Sequence, residues 1–177
     1  NSKLYVPTVK ISKDTTINAI AYRKGMIASG VSIATYKING GSTEEPGDVS
    51  GENLAKNKSV TASGQENDAM KAANAVDGNS GTRWSSNYSD DAWIYVNLEK
   101  TYKVGKVVLN WEGAYGKAYK IQTSVDGNNW TTVKNVTDGN GGIDTITFTE
   151  TDAKYVRMQG VTRALPYGYS LWEMEVY

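Results

Sequence analysis

Residues 74–84 bring a carboxylate, an amide and a hydroxyl close together on one predicted loop. The Asp-Gly pair at Asp77 and the Ser-Gly pair at Ser80 are typical of tight turns. Oxygen ligands gathered on such a loop suit Ca²⁺, but the alternating acidic residues and the final glutamate of an EF-hand loop are missing. A calcium site here must therefore take ligands from elsewhere in the chain. The alternative is a surface turn that binds no metal.

Four further predicted loops combine aromatic rings with charged or amide groups. Sugars are recognised by aromatic faces that stack on pyranose C–H groups and by polar groups that hydrogen-bond adjacent hydroxyls. These predicted loops supply both kinds of group. The loops are residues 63–68, 85–91, 110–117 and 163–169.

Enzymatic chemistry has few candidates, because the chain contains neither cysteine nor histidine. Thiolate nucleophiles, Ser-His pairs and the usual zinc or copper sites are thereby excluded. Glu66 and Glu112 could act as a glycosidase pair if their carboxyl groups lay about 5–9.5 Å apart. A shallow loop surface would not raise the pKa of a glutamate enough for acid catalysis. We therefore expect binding and no catalysis.

Charge and hydropathy exclude two other classes. The chain carries 19 basic and 19 acidic residues, and neither half has the basic excess expected of a nucleic-acid-binding protein. No apolar run approaches the roughly 18 residues of a transmembrane helix. The polar start at Asn1 is not a signal peptide, so we expect a mature or excised fragment of a secreted, extracellular protein.

The elements that must position these loops are short strands. Tyrosine (12) and tryptophan (5) are plentiful, glycine is frequent (18), and no long amphipathic helix is evident. Residues 1–38 contain three alternating runs, at 8–11, 15–22 and 32–38, and residues 39–52 have the composition of a linker. Turns divide residues 53–177 into eight short predicted strands, which favours an all-β jelly-roll sandwich. These strands are 60–62, 93–98, 103–111, 118–124, 131–136, 142–148, 154–158 and 171–177, with Trp93, Trp130, Val107 and Trp84 expected in the core.

Two stretches resemble known families. The order of motifs in residues 53–177 is similar to that of the discoidin, or coagulation factor V/VIII C-type, family, and most similar to family 32 carbohydrate-binding modules of bacterial glycosidases. Residues 16–26 and 34–36 resemble the second half of an immunoglobulin-like spacer found in chitobiases. The motifs that carry the discoidin resemblance are NLA (53–55), NAVDG (74–78), TRW (82–84), WIYVNL (93–98), VVL (107–109), TSVDGNNW (123–130), AKYVR (153–157) and WEMEVY (172–177).

The discoidin resemblance implies a structural calcium ion beside the loop of residues 74–84. A hard cation there would join the loop to the final strand, which is distant in sequence. The ligands implied are the carbonyls of Asn74 and Asn79, the Asp77 carboxylate, an oxygen of Thr82, and groups of Trp172 and Glu173. The alternative for Glu173 is an ordinary exposed carboxylate.

In a discoidin-like fold the four loops lie near one end, which gives the candidates for sugar binding. Arg83 is expected to form a fork for adjacent hydroxyls, beside Tyr88 and facing Glu112, although it could instead pair with a buried carboxylate. Tyr167 and Tyr169 have no evident core to fill, and Tyr169 is the preferred stacking ring. The candidates are Glu66, Arg83, Tyr88, Glu112, Tyr167 and Tyr169.

The combined prediction is a monomeric, non-catalytic module that targets a secreted bacterial glycoside hydrolase, its catalytic domain in cis, to polysaccharide. Segments 109–116 and 167–173 resemble modules of glucanases and chitosanases, so β-glucan or chitosan chain ends are the expected ligands. One alternative is a galactose- or N-acetylhexosamine-binding module, but galactose binders often use a histidine and none is present. Another is adhesion to phosphatidylserine or cell surfaces, which the acidic loops would oppose.

Overall fold

The computed structural model describes the backbone of residues 15–19 and 32–36 and the whole of residues 51–177. The chain forms two compact units, Asn1–Asp48 and Val49–Tyr177. In the first unit, strand β1 (Thr15–Ala19) pairs antiparallel with β2 (Ser32–Tyr36), in agreement with two predicted strands. The predicted strand at 8–11 and most of the predicted linker lie outside the described residues. The immunoglobulin-like spacer therefore stays a prediction.

The second unit is built from antiparallel strands, as predicted, and the all-β sandwich is confirmed. Two short 3₁₀ helices, Asp68–Met70 and Ala72–Val76, precede the loop at residues 77–83. No helix within the described part of the chain is long and apolar enough to cross a membrane. The strands are β3 (Ser59–Ala62), β4 (Trp84–Ser85), β5 (Trp93–Trp111), β6 (Gly116–Ser124), β7 (Thr131–Val136), β8 (Ile143–Arg163) and β9 (Ser170–Val176).

Two very long strands, β5 and β8, replace four of the predicted strands. They stay paired through a register shift between Asn97 and Tyr102. Within this shift Glu99 has a left-handed backbone (φ 72°), and its N–H donates to Oδ1 of Asn97 at 2.8 Å. The polar residues that suggested a turn therefore form an irregularity inside one continuous strand.

The long strands serve both layers of the sandwich. The first half of β5 pairs with β3 and with the end of β8, which continues to β6 and β7. The second half of β5 pairs with the start of β8 and with β9, which continues to β4. The ends of β5 and β8 and the start of β9 consequently reach the same end of the unit as β4.

The core lies between the two layers and follows strand alternation. Ile94 and Val96 point inward from the first half of β5, and Leu109 points inward from the second. Each such side chain contributes about 1.5–3 kcal/mol on burial. The predicted burial of Trp84 and Val107 is confirmed.

Burial of Trp93 and Trp130 was predicted, and both predictions are wrong. Trp93 alternates with buried Ile94, so its ring lies half-buried on the outer face, stacked on Tyr95 at 5.5 Å. The guanidinium of Arg157 covers the ring of Trp130 at 4.0 Å. These aromatic rings shield one another on the sheet surface and do not fill the core.

Candidate functional site

A cavity of about 390 Å³ opens at the end of the unit where β4, β5 and β9 meet. Most of its lining residues lie on loops next to the strands, and Ser85 lies on β4. The sheet therefore holds these side chains in place. The lining residues are Glu66, Arg83, Ser85, Tyr88, Glu112, Gly113, Ala114, Leu165 and Tyr167. Glu66, Arg83, Tyr88, Glu112 and Tyr167 were predicted from the sequence as sugar-binding residues, and the structure brings these five together.

The carboxylate of Glu66 is held by neighbours before any ligand arrives. Oε2 accepts a hydrogen bond from the Ser85 hydroxyl at 2.9 Å, and Oε1 accepts one from the Tyr88 hydroxyl at 3.1 Å. The backbone N–H of Glu66 also donates to the Ser85 carbonyl at 2.8 Å. The hydrogen bond to Glu66 raises the pKa of Tyr88, so that hydroxyl remains a donor. Glu66 therefore presents an oriented acceptor to the cavity.

Arg83 and Glu112 form the opposite polar wall. Nη1 of Arg83 donates to the Ser170 hydroxyl at 2.6 Å and lies 3.8 Å from Oε2 of Glu112. The backbone N–H of Ala114 donates to the same Glu112 oxygen at 3.1 Å. Arg83 thus pairs with a carboxylate that itself lines the cavity and is not buried, and its role as a fork for sugar hydroxyls stays a prediction.

Aromatic rings complete the cavity. Tyr88 is 58% exposed and Tyr167 is 60% exposed, although both lie beside the polar walls. Leu165, which the sequence analysis passed over, adds an apolar contact and is 42% exposed. Exposed rings next to fixed polar groups are suited to stack on the C–H faces of a sugar.

The preference for Tyr169 as the stacking ring is wrong, because this side chain is completely buried. Its hydroxyl donates to the Asp90 carbonyl at 2.8 Å, and burial raises its pKa to about 12. Two glycines make room for it. A Cβ at Gly160 would collide with the Tyr169 ring, and a Cβ at Gly168 would collide with the backbone of Ser86.

The predicted calcium loop is closed by its own side chains. Oδ1 of Asp77 accepts from the Asn79 N–H at 2.9 Å, and Oδ2 accepts from the Thr82 hydroxyl at 2.7 Å. The carbonyl of Asn79 accepts from the same hydroxyl at 2.9 Å. The side chain of Asn74 donates to the carbonyls of Ala69 and Arg83 at 2.8 and 3.0 Å. The loop is thereby hydrogen-bonded to the backbone of Arg83, whose side chain lines the cavity.

Glu173, on β9, faces this loop and is 9% exposed. Its Oε1 is buried without a hydrogen-bond partner. Burial is the largest cause that raises the pKa of Glu173, and the nearby Asp77 carboxylate raises this pKa further. Hydrogen bonds from the amides of Asn79 and Gly78 act in the opposite direction and lower it. The alternative of an ordinary exposed carboxylate is therefore wrong.

The residues present fit a hard cation. Glu173 is a buried carboxylate with one unpartnered oxygen beside the Asp77 carboxylate, and a cation would compensate this negative charge. No cluster of three or more acidic, histidine or cysteine side chains could hold a metal within the described residues. Backbone carbonyls would therefore supply most of the ligands, as expected for Asn74 and Asn79. Trp172, half-buried on β9, is the neighbour expected to contribute beside Glu173.

The fold is a β-sandwich module of about 125 residues with a cavity among the loops at one end, the kind of place where ligands commonly bind. Residues 59–174 match the model of the F5/8 type C domain, and the chain belongs to this family. The predicted membership in the discoidin family is thereby confirmed.

Solved structures extend the likeness. Chitosan-binding module 1 of a chitosanase/glucanase from Paenibacillus sp. IK-5 is 54% identical, with a TM-score of 0.70 over 72% of this chain and 99% of that one. Module 2 of the same enzyme, in complex with chitotriose, is 52% identical, with a TM-score of 0.69 over 71% and 99%. The family 32 module of C. perfringens NanJ, in complex with galactose, is 25% identical, with a TM-score of 0.60 over 68% and 93%.

A curated relative is far longer than this chain. The polysaccharide lyase 8 family protein HylA of Enterococcus faecalis is 32% identical over 88 residues. The match covers 48% of this chain but only 6% of the relative. The likeness is therefore to a small segment of that protein.

Proposed function

We propose that residues 51–177 form a non-catalytic carbohydrate-binding module that holds a chain end of chitosan, or of a β-glucan, in the cavity. The observation that carries this proposal is the meeting of two carboxylates, one guanidinium and two exposed tyrosine rings around one opening. The 52–54% identity to chitosan-binding modules supports it.

The polar groups suit an amino sugar. Glu66 and Glu112 are acceptors, and an ammonium group between them would form charge-assisted hydrogen bonds. Arg83 supplies donors for hydroxyl oxygens, while Tyr88 and Tyr167 offer apolar ring faces. Among the described residues Glu66 has no ion-pair partner, whereas Glu112 lies 3.8 Å from Arg83, so a protonated glucosamine would supply a countercharge that neutral glucose does not.

The size of the cavity favours a chain end. About 390 Å³ is near the lower limit of small-molecule sites, and the opening is bounded by polar and aromatic walls. A long stretch of polymer would extend beyond these walls. The terminal unit is thus the part that the cavity recognises.

We also propose a structural Ca²⁺ held by Asp77, Glu173, Thr82 and the carbonyls of Asn74, Asn79 and Trp172. A bound cation would compensate the buried negative charge of Glu173 and join the loop to β9. Its contribution would be to stability, because these residues do not line the cavity.

The setting proposed for the module is a secreted bacterial polysaccharide-degrading enzyme. The relatives from a chitosanase/glucanase and the polysaccharide lyase family protein support this setting. When a linker joins the module to a catalytic domain, even weak binding of the module to a sugar chain raises the concentration of substrate near that domain.

Calorimetric titration with chitosan and β-1,3-glucan oligosaccharides tests the ligand, at low and at high salt. We expect chitosan to bind with an affinity that weakens as salt rises, and Glu112→Gln to weaken it about tenfold. Glu150→Gln changes an exposed glutamate outside the cavity and should bind like the parent. Salt-insensitive glucan binding would support the neutral ligand, and preferential binding of galactose would refute both.

The non-catalytic assignment has its own test. The protein is incubated with the same oligosaccharides and the products are separated by chromatography. Intact oligosaccharides are expected, and shortened products that disappear in Glu66→Gln would contradict the assignment.

A further inference from the structure

We propose that Arg163 and Asp90 form a clamp that positions the two aromatic walls of the cavity and thereby sets its affinity for sugar. The proposal rests on the proposed function of the cavity. Neither residue lines the cavity, so both act through the loops that carry Tyr88 and Tyr167.

The clamp begins with an ion pair between the last residue of β8 and the loop that follows β4. Nε of Arg163 donates to Oδ1 of Asp90 at 2.8 Å, and the backbone N–H of Arg163 donates to the same oxygen at 3.0 Å. The Arg163 side chain is 19% exposed and the Asp90 side chain is 56% exposed, so the ion pair lies at the surface with its guanidinium partly shielded from water. These hydrogen bonds lower the pKa of Asp90 and keep its carboxylate ionised.

The same guanidinium also folds the loop between β8 and β9. Nη1 of Arg163 lies 3.3 Å from the Pro166 carbonyl and 3.2 Å from the Tyr167 carbonyl, and donates to both. Arg163 therefore fixes the main chain at the residue whose ring forms one wall. Asp90 lies two positions after Tyr88, whose ring forms the other.

The two loops have a shared base beneath the clamp. Ser86 N–H donates to the Tyr169 carbonyl at 2.8 Å, and Tyr169 N–H donates to the Ser86 hydroxyl at 2.9 Å. The buried Tyr169 hydroxyl reaches the carbonyl of Asp90. Because the base is fixed independently, loss of Arg163 should loosen the rim while the fold remains.

A fixed rim matters because ordering a loop on binding costs free energy. With Arg163 in place, the backbone at Tyr167 is already held before the sugar arrives. Without it, binding must order residues 164–168 at the same time. The clamp therefore increases affinity without any contact to the ligand.

The test uses Arg163→Gln in the full chain, with Arg163→Lys as the conservative variant. We expect amide hydrogen exchange at position 163 and at Ala164, whose N–H groups donate to Asp90 and to the Tyr115 carbonyl, to accelerate at least tenfold in Arg163→Gln. Chitosan-oligosaccharide affinity should fall about fivefold to tenfold, with partial recovery in Arg163→Lys. Arg157→Gln removes an arginine from the outer sheet face and should change neither measurement.

A double-mutant cycle with Tyr167→Ala separates positioning from general destabilisation. If Arg163 acts through Tyr167, Arg163→Gln should have little effect on affinity once the ring is gone. Equal losses in both backgrounds would overturn the clamp, and so would unchanged exchange at positions 163 and 164. A parent protein that binds none of the sugars overturns the proposed function instead, while the exchange measurement still decides whether the clamp exists.

Discussion

The hydroxyl of Tyr88 donates a hydrogen bond of 3.1 Å to Oε1 of Glu66, and both residues line the cavity. One tyrosine thus has two roles, since its exposed ring can stack on a sugar while its hydroxyl orients a carboxylate. The second oxygen of Glu66 is held by Ser85. The acceptor is therefore preorganised and a ligand need not order it.

Replacing Tyr88 with phenylalanine separates these two roles. Tyr88→Phe keeps the ring and removes the hydrogen bond, so sugar affinity should fall by about 0.5–1.5 kcal/mol. Tyr88→Ala should lose more, because the stacking surface disappears as well. Calorimetric titration measures both losses, with Tyr95→Phe on the outer sheet face as the control. Binding by Tyr88→Ala equal to that of the parent would show that this residue is not part of the site.

Removing the hydroxyl should change the stability of the protein at one of the two tyrosines around Gly168 and not at the other. Tyr169→Phe removes a buried hydrogen bond to Asp90 and should lower the free energy of unfolding by about 1–2 kcal/mol. Tyr167→Phe should leave stability unchanged, because that ring is exposed. Urea unfolding measures the difference. An equal cost for both variants would contradict the assignment of one ring to the core and the other to the cavity.

The alternation of side chains predicted most of the sheet but could not show where strands continue. Ile94 and Val96 carry the pattern of a half-buried strand, and they are buried as expected. The following residues, around Glu99, are polar and have the composition of a turn. Only pairing with β8, far away in sequence, keeps them within one strand.

The site residues were predictable where a loop carried a single candidate, and not where two were equivalent. Tyr167 and Tyr169 flank the same glycine, so local sequence offers no basis for choosing between them. The choice is made by Gly160, on another strand, which leaves space for one ring. Arg163 was overlooked for the same reason, since its partner Asp90 becomes a neighbour only through the fold.

The half-buried carboxylate of Asp144 should be important for stability. Asp144 accepts hydrogen bonds from Nε1 of Trp111 at 2.9 Å and from the Tyr119 hydroxyl at 2.5 Å. Asp144→Ala leaves both donors unsatisfied and should cost about 2–4 kcal/mol, whereas Asp144→Asn keeps an acceptor and should cost less. Asp152→Ala removes only an exposed ion pair with Lys103 and should cost under about 1 kcal/mol. Chemical denaturation of the three variants checks this order, and a loss in Asp152→Ala as large as in Asp144→Ala would contradict it.

The proposed calcium site predicts that the effect of Glu173→Gln on stability depends on whether Ca²⁺ is bound. In chelator, Glu173 is a buried carboxylate with a partnerless oxygen beside Asp77, so Glu173→Gln should unfold at the same temperature as the parent or higher. In Ca²⁺ at about a hundredfold above its dissociation constant, the parent should gain roughly 2.7 kcal/mol. Glu173→Gln should gain much less, because the amide lacks the charge that holds a hard cation. Differential scanning calorimetry of both proteins, with and without Ca²⁺, measures the four melting temperatures. Equal gains in parent and variant would place the cation elsewhere, and no gain in the parent would show that Glu173 is buried for another reason.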